Sequence, residues 1–224
     1  MRAGSKRLEN KNFRDFFGKP IFVYTLEYAR RSGLFDEIFV STESEEVRNL
    51  CVKHGFDVPF LRPDELATDQ AQLVHVIRHT LDTFEERGKE FENFCILWAT
   101  APMRTAQDIK GAHAMLEGDT EAVVGITDYD LPVFCAMRFS GDCLLEPLFP
   151  EYQKLPGSKQ PKVVCDNGTM CWVKTRAFYE HGTWLPPKLK GYFMPRRYSV
   201  DIDTHDDWNL AAYYYENYFL KEKK

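Results

Sequence analysis

FCILWAT, residues 94–100, is the stretch on which the fold turns. A short, continuous apolar run closed by a polar residue reads as a strand buried on both faces, the kind found in parallel sheets. On its N-terminal side, roughly Gln70 to Arg87 carries a helical pattern. On its C-terminal side a helix from Thr105 or Gln107 to Leu116 leads into a second such strand, EAVVGIT (121–127). Further upstream, Pro20 opens PIFVYTLEYARRSGLF, where Ile21, Tyr24, Leu26, Tyr28 and Ala29 recur at helical spacing. DEIFVST (36–42) is predicted as a strand and ESEEVRNLCVKHG as a helix stopped by Gly55, with FDVPFLR (56–62) as the next strand. Strands alternating with amphipathic helices predict an α/β fold: a mostly parallel, doubly wound sheet with helices on both faces.

Residues 128–165 break the alternation. They are rich in proline and glycine and hold short runs such as VFCAMRF, so an antiparallel lobe inserted into a single domain spanning 1–224 is expected. TMCWVK (169–174) reads as a return strand and RYSVDID (197–203) as another, followed by a terminal helix capped by Thr204.

With 44% hydrophobic and 28% charged residues the composition is that of an ordinary globular domain, and the net charge of −5 argues against a nucleic-acid coat. No apolar run approaches the ~20 residues that span a bilayer. The six cysteines are scattered without a Cys-x-x-Cys pair, which favours reduced thiols and a cytoplasmic location over disulfides or a zinc site. The histidines show no metal-ligand spacing; His75 and His79, four apart, lack the intervening glutamate of zinc proteases.

Ligands of open α/β sheets sit beyond the carboxyl ends of the strands. RAGSKR, STESEE, ATAPMRT and DIDTHDD all lie at such ends. In RAGSKRLENKN (2–12), Gly4 permits close backbone approach to an oxyanion, Ser5 donates a hydroxyl, and Arg2, Lys6, Arg7 and Lys11 bring positive charge. The loop has neither P-loop nor dinucleotide-fold glycine spacing, and a basic N-terminal tail is the competing reading. In VDIDTHDD (200–207), Asp201 and Asp203 share a side if the segment is extended, a natural seat for Mg²⁺ bridging phosphates, or else a helix-entry cap. Asp206 and Asp207 read as first-turn carboxylates of the next helix. Arg104 lies just past a buried strand, where it can grip a carboxylate or phosphate or pair with an acidic neighbour. CDNG (165–168) offers Asn167 beside Gly168, or simply an Asn-Gly hairpin turn.

Taken in order, RAGSKRLENKN, GKPIFVYTLEYARRSGLFDEIFVST, FLRPDELATD, ATAPMRT and VDIDTHDDW resemble the acylneuraminate cytidylyltransferases, enzymes that activate sialic, legionaminic and pseudaminic acids as CMP-sugars. The likeness covers nearly the whole chain and is weakest at 128–165. It implies a nucleotide-diphospho-sugar transferase-like fold in which the inserted lobe pairs two subunits of a homodimer. It implies a reaction of CTP with an acidic nine-carbon sugar that gives the CMP-sugar and pyrophosphate. Carried over by position, Arg2, Gly4, Ser5, Lys6, Lys11 and Asn12 would hold the nucleotide, with Arg2 and Lys6 also catalytic. Asp201 and Asp203 would hold Mg²⁺. Arg104 and Asn167 fall on the sugar side, and Arg62 with Asp69 at the rim. Trp98 stands where sialic-acid enzymes carry a sugar-facing glutamine, which leaves the sugar open. Family members start with an apolar strand of the form x-Ile-Ile-Pro-Ala, and Met1 stands at that last alanine; the resemblance therefore implies a shortened chain, poorly stable or inactive as written. Another sugar nucleotidyltransferase, an Asp-x-Asp glycosyltransferase and an inactive relic are the alternatives.

Overall fold

A computed structural model describes residues 8–68, 70–129 and 131–222. A short 3₁₀ turn, Lys11–Phe13, leads into a two-residue ladder of β1 (Asp15–Phe16) and β2 (Lys19–Pro20). Then follow α1 (Ile21–Ser32), α2 (Glu45–Lys53), α3 (Leu73–Glu86), β3 (Asn93–Leu97), α4 (Ala106–Ala114) and β4 (Ala122–Asp128). The lobe holds the hairpin β5 (Met137–Ser140) and β6 (Leu144–Pro147) and the single turn α5 (Pro150–Gln153). The chain closes through β7 (Val164–Lys174), α6 (Thr175–His181), β8 (Leu189–Phe193) and α7 (His205–Tyr214), then a π turn at Tyr215–Phe219 and α8 (Leu220–Glu222).

The main sheet has the order β3-β7-β4-β8. β7 runs antiparallel to both β3 and β4, and β8 runs parallel to β4, so three of the four strands share one direction. Side-chain alternation along β7 separates two cores. Met170 and Trp172 face α1, α4 and α7, with Tyr24, Ile109 and Trp208. Cys171 and Val173 face α3 and α6, with Ile77, Leu81 and Phe178. A third cluster joins the other side of α1, through Phe22 and Leu26, to Val47 and Cys51 of α2 and to Val40 and Val58. The sheet is thus sandwiched between helical layers, as the strand–helix alternation predicts.

Both ends of α1 are set by sequence. Pro20 precedes its first turn with φ −55°, and Gly33 ends it at φ +65°, its N–H donating to the Arg30 carbonyl. The helix is buried nearly all round because the sheet lies on one side and α2 on the other.

Three expectations need correction. Residues 36–42 and 56–62 form no ladder among the described residues, and β3 is the edge of its sheet. Between the 36–41 segment and β3 runs an apolar cleft of about 910 Å³, and among the described residues the two runs do not pair across it. Residues 197–203 likewise form no strand; β8, which supplies the parallel edge instead, is a five-residue run interrupted by Gly191, too short to announce itself by pattern. Finally, Asn167-Gly168 is not a hairpin turn but a bulge inside β7, where the register against β4 slips between Val124 and Ile126.

Candidate active site

The site assembles beyond the end of β3, where the segment at residue 11 meets the segment at residue 201. Phe13 packs edge-on against Phe22 at 5.9 Å and fixes the 3₁₀ turn on the start of α1. From that turn Lys11 donates to the Ile202 carbonyl, and its Nζ lies 3.0 Å from Asp203 Oδ1. The pair is mostly sheltered from water, with side-chain exposures of 16% and 30%, so the attraction is less screened than on an open surface. Asn12 lines the same cleft beside Lys11 and Asp203. Between the two aspartates, Ile202 is fully buried and acts as the anchor, leaving Asp201 exposed and Asp203 half-buried at the surface of the site.

The bulge of β7 reaches the same place. Gly168 takes φ +61°, and a β-carbon there would lie 3.5–3.6 Å from the Asp201 carboxylate. Its N–H donates to Asp166 Oδ1 at 2.9 Å, which holds the turn. Asn167 is buried beneath: its Oδ1 accepts from the Thr169 N–H at 3.1 Å and hydroxyl at 2.7 Å, and its Nδ2 donates to the Ile126 carbonyl at 3.4 Å. Gly125 of β4 makes room for this knot, since a β-carbon there would fall 2.7 Å from both Asn167 Oδ1 and Thr169 Oγ1.

The structure places the two residues expected on the sugar side, Asn167 and Arg104, beneath the surface of the site. Asn167 spends its amide on the bulge and sets the position of Gly168 against Asp201. Arg104 is fully buried and donates through Nη1 to the carbonyls of Thr169 and Trp98, leaving Nε and Nη2 enclosed. Burial pulls its guanidinium down to about 10, still charged at neutral pH. Both residues lie under the site and position it.

Trp98 is half-buried at the cleft. Its N–H donates to the Thr169 carbonyl at 3.1 Å, its carbonyl accepts from the Thr25 hydroxyl at 3.1 Å, and its ring meets Trp184 edge-on at 5.7 Å. Arg62 also lines the cleft, buried and paired with Glu43 at 2.8 Å. Arg2, Gly4, Ser5, Lys6 and Asp69 lie outside the described residues.

Asp206 and Asp207 occupy the first turn of α7 as expected. Thr204 and Asp207 form a reciprocal capping box. Burial works against the charged form of Asp207, yet the bonds from Thr204 and the Asp203 N–H, helped by Lys11, hold its carboxyl below the usual range.

Asp201 and Asp203 supply two carboxylates, and no group of three or more His, Cys, Asp or Glu able to hold a metal occurs among the described residues. Two carboxylates are the donor set from which a hard cation could be held together with substrate phosphates and water. Thr169, Thr25 and Gly125 were not singled out by sequence; a glycine inside the apolar run EAVVGIT was the available signal of a close approach.

Comparison with known proteins gives the family. The cytidylyltransferase family profile matches residues 1–128. A pseudaminic acid cytidylyltransferase of Campylobacter jejuni is 27% identical over 96% of this chain and 93% of its own length. A CMP-N,N'-diacetyllegionaminic acid synthase of Legionella pneumophila is 30% identical over 94% and 91%. Among solved structures, a CMP:2-keto-3-deoxy-manno-octonic acid synthetase complexed with CTP superposes with a TM-score of 0.68 at 12% identity, covering 95% of this chain and 94% of that one. A 4-diphosphocytidyl-2C-methyl-D-erythritol synthase of Anaerococcus prevotii gives 0.61 at 13% identity over 96% of each chain. These two likenesses speak for the fold alone. With a profile spanning more than half its length and a relative at 30% identity matched almost end to end, the chain belongs to the cytidylyltransferases, nucleotidyltransferase enzymes of the acylneuraminate type.

Proposed function

We propose that this enzyme joins the CMP moiety of CTP to an acidic nine-carbon sugar, releasing pyrophosphate. One observation carries the reading: the basic N-terminal segment and the VDID segment, 192 residues apart, meet through Lys11 and Asp203. A triphosphate needs both, positive charge for its oxygens and carboxylates for its counter-ion. The names of the relatives, which act on pseudaminic and diacetyllegionaminic acids, support a nonulosonic acid as the acceptor.

In this reading Lys11 and Asn12, with Arg2, Gly4, Ser5 and Lys6, hold the nucleotide and its phosphates. Asp201 and Asp203 would hold Mg²⁺, which when bound would supply polarisation of the α-phosphate and offset charge on the leaving pyrophosphate. Asp203 thus exchanges part of its pairing with Lys11 as the phosphates enter, and Lys11 turns its charge to them. The sugar's anomeric oxygen attacks the α-phosphorus in line, the α–β bridging bond breaks, and pyrophosphate leaves. The chain contributes chiefly positioning and charge stabilisation. Gly168 keeps the space beside Asp201 open, while Trp98, backed edge-on by Trp184, lines the cleft where the acceptor would lie. Arg62 and Asp69 belong to the rim.

The same reading makes the enzyme a homodimer through the inserted lobe. Leu131 and Phe139 are each 78% exposed and Leu144 66%, an apolar display that a second copy would cover. Phosphate release from CTP by pyrophosphatase-coupled assay, with Mg²⁺ and a panel of nonulosonic acids, tests the reaction. Sugar-dependent release that Asp203→Asn abolishes without unfolding the protein is expected; release that Asp203→Asn leaves intact removes the metal assignment.

A further inference from the structure

The bulge in β7 re-aims one carboxylate. Cys171 stands opposite Val124 and Asp166 opposite Ile126, so a step of five residues in β7 spans a step of two in β4. In a regular strand an odd step puts two side chains on opposite faces. The bulge at Asn167-Gly168 cancels that, and Asp166 returns to the face of Cys171, Val124 and Ile126. Trp98 and Trp184 pack on this same face. Asp166 is exposed there, and among the described residues only its Oδ1 is engaged, by the Gly168 N–H at 2.9 Å. Gly168 thus has two carboxylates about it: Asp166 on its N–H, and Asp201 beside the place of its missing β-carbon.

We propose that Asp166 is the general base of the reaction, taking the proton of the acceptor's anomeric hydroxyl on its free carboxylate oxygen. The inference rests on the reaction proposed above and supplies the group that completes its proton balance. As the anomeric oxygen bonds to the α-phosphorus, its O–H bond breaks and the proton passes to Asp166. The bond from the α-phosphorus to the bridging oxygen breaks, and its electron pair leaves with pyrophosphate. Solvent then takes the proton from Asp166. Other groups near the site are committed elsewhere. Lys11, as a cation, has donors only. Asp203 faces Lys11 and, with Asp201, is assigned to the cation. Asp207 Oδ2 accepts from Thr204 and from the Asp203 N–H, and Glu43 pairs with Arg62. Asp166 has an open oxygen on the face of Trp98, the side where the acceptor would lie. Burial raises its carboxyl above the ordinary value, outweighing the opposing effect of the Gly168 N–H, and a higher value makes a stronger base. Its titratable neighbours on β7 are the thiols of Cys165 and Cys171, both pushed up by burial and by Asp166 and therefore neutral. Asp201 lies across Gly168, and Asp128 stands two residues beyond Ile126 on β4.

The test is steady-state kinetics of the natural enzyme, Asp166→Asn and Asp166→Ala with CTP, Mg²⁺ and the nonulosonic acid that the natural enzyme turns over. Asparagine keeps an oxygen to accept from the Gly168 N–H, so the bulge is retained while the base is lost; thermal melts check this. Asp166→Asn is expected to lower kcat by about 100-fold or more with the KM for CTP unchanged. Added formate should restore turnover to Asp166→Ala in proportion to its concentration, since a small carboxylate can stand in for the missing one, and a purely structural role gives no such rescue. The natural enzyme needs the ionised carboxylate, so kcat/KM should fall as pH drops through a value above the ordinary carboxylate range of about 4. If the variants do not fold, this profile carries the test, and a profile flat through that range overturns the proposal. Turnover by Asp166→Asn equal to that of the natural enzyme overturns it. So does a raised KM for the sugar with kcat intact and no formate rescue, which assigns Asp166 to binding a hydroxyl. A loss of kcat with His205→Gln in place of Asp166→Asn moves the base to α7. Absence of turnover by the natural enzyme with every nonulosonic acid removes the reaction itself, and the base with it.

Discussion

Gly125→Ala puts the architecture beneath the site under direct strain. The added methyl would sit 2.7 Å from Asn167 Oδ1 and 2.7 Å from Thr169 Oγ1, well inside van der Waals contact. Neither atom is the loose end of a flexible side chain. They are hydrogen-bonded to each other at 2.7 Å, and both residues are buried, at 4% and 1% exposure. Relief therefore requires either a shift of the bulge or loss of a buried hydrogen bond. Overpacking of this kind costs about 1–3 kcal/mol, and a broken buried bond adds about 1 kcal/mol. Against this, replacing glycine by alanine lowers unfolded-chain entropy and returns about 0.4–1 kcal/mol. A net loss of about 1–3 kcal/mol corresponds to a fall in the unfolding midpoint of about 2–12 °C for a chain of this size. Calorimetry on the two proteins at equal concentration measures it. Because the same bulge sets Gly168 against Asp201, turnover should fall alongside stability. An unchanged or raised midpoint would refute the packing argument.

Lys11→Met should raise the KM for CTP far more than it lowers the midpoint, since a partly sheltered pair contributes about 1 kcal/mol or less to folding; steady-state kinetics beside thermal melts separates the two. Thr204→Ala should cost about 1 kcal/mol through loss of the α7 cap. The capping partner Asp207 titrates lower folded than unfolded, so its stabilisation is present above the unfolded carboxylate range and disappears as pH falls through the folded value. The stability gap between the natural protein and Asp207→Asn should therefore close below about pH 4, as read by denaturant titrations across pH. Phe139→Asp should convert a dimer to monomer in sedimentation; a monomer before the change, or a dimer after it, counts against the lobe as interface. Trp98→Gln should alter the ratio of turnover between two nonulosonic acids by at least about tenfold, and an unchanged ratio would place the acceptor elsewhere.

Much of this arrangement was legible in the sequence because it depends on local pattern. FCILW and EAVVGIT became β3 and β4, the helices around them fell where their periodicity put them, and Thr204 capped α7 through short-range chemistry. What escaped depends on partners distant in the chain. DEIFVST has the composition of a strand, yet ladder formation needs a neighbour at hydrogen-bond distance, and a cleft lies there instead. Asn167 and Arg104 stand near strand ends, where short polar and cationic residues often face ligands. Their burial beneath the site is set by β4 and by the carbonyls of Thr169 and Trp98, which no local pattern announces. The pairing of Lys11 with Asp203 lay between these extremes: each motif was visible, and only the fold could bring them together.

The most direct test of the central claim is mass-spectrometric detection of product after incubation with Mg²⁺, a nonulosonic acid and CTP, UTP, ATP or GTP in separate reactions. The account predicts a CMP-sugar and one equivalent of pyrophosphate with CTP, and little with the other nucleotides. Equal turnover of all four, or formation of a nucleoside diphosphate in place of pyrophosphate, would contradict it.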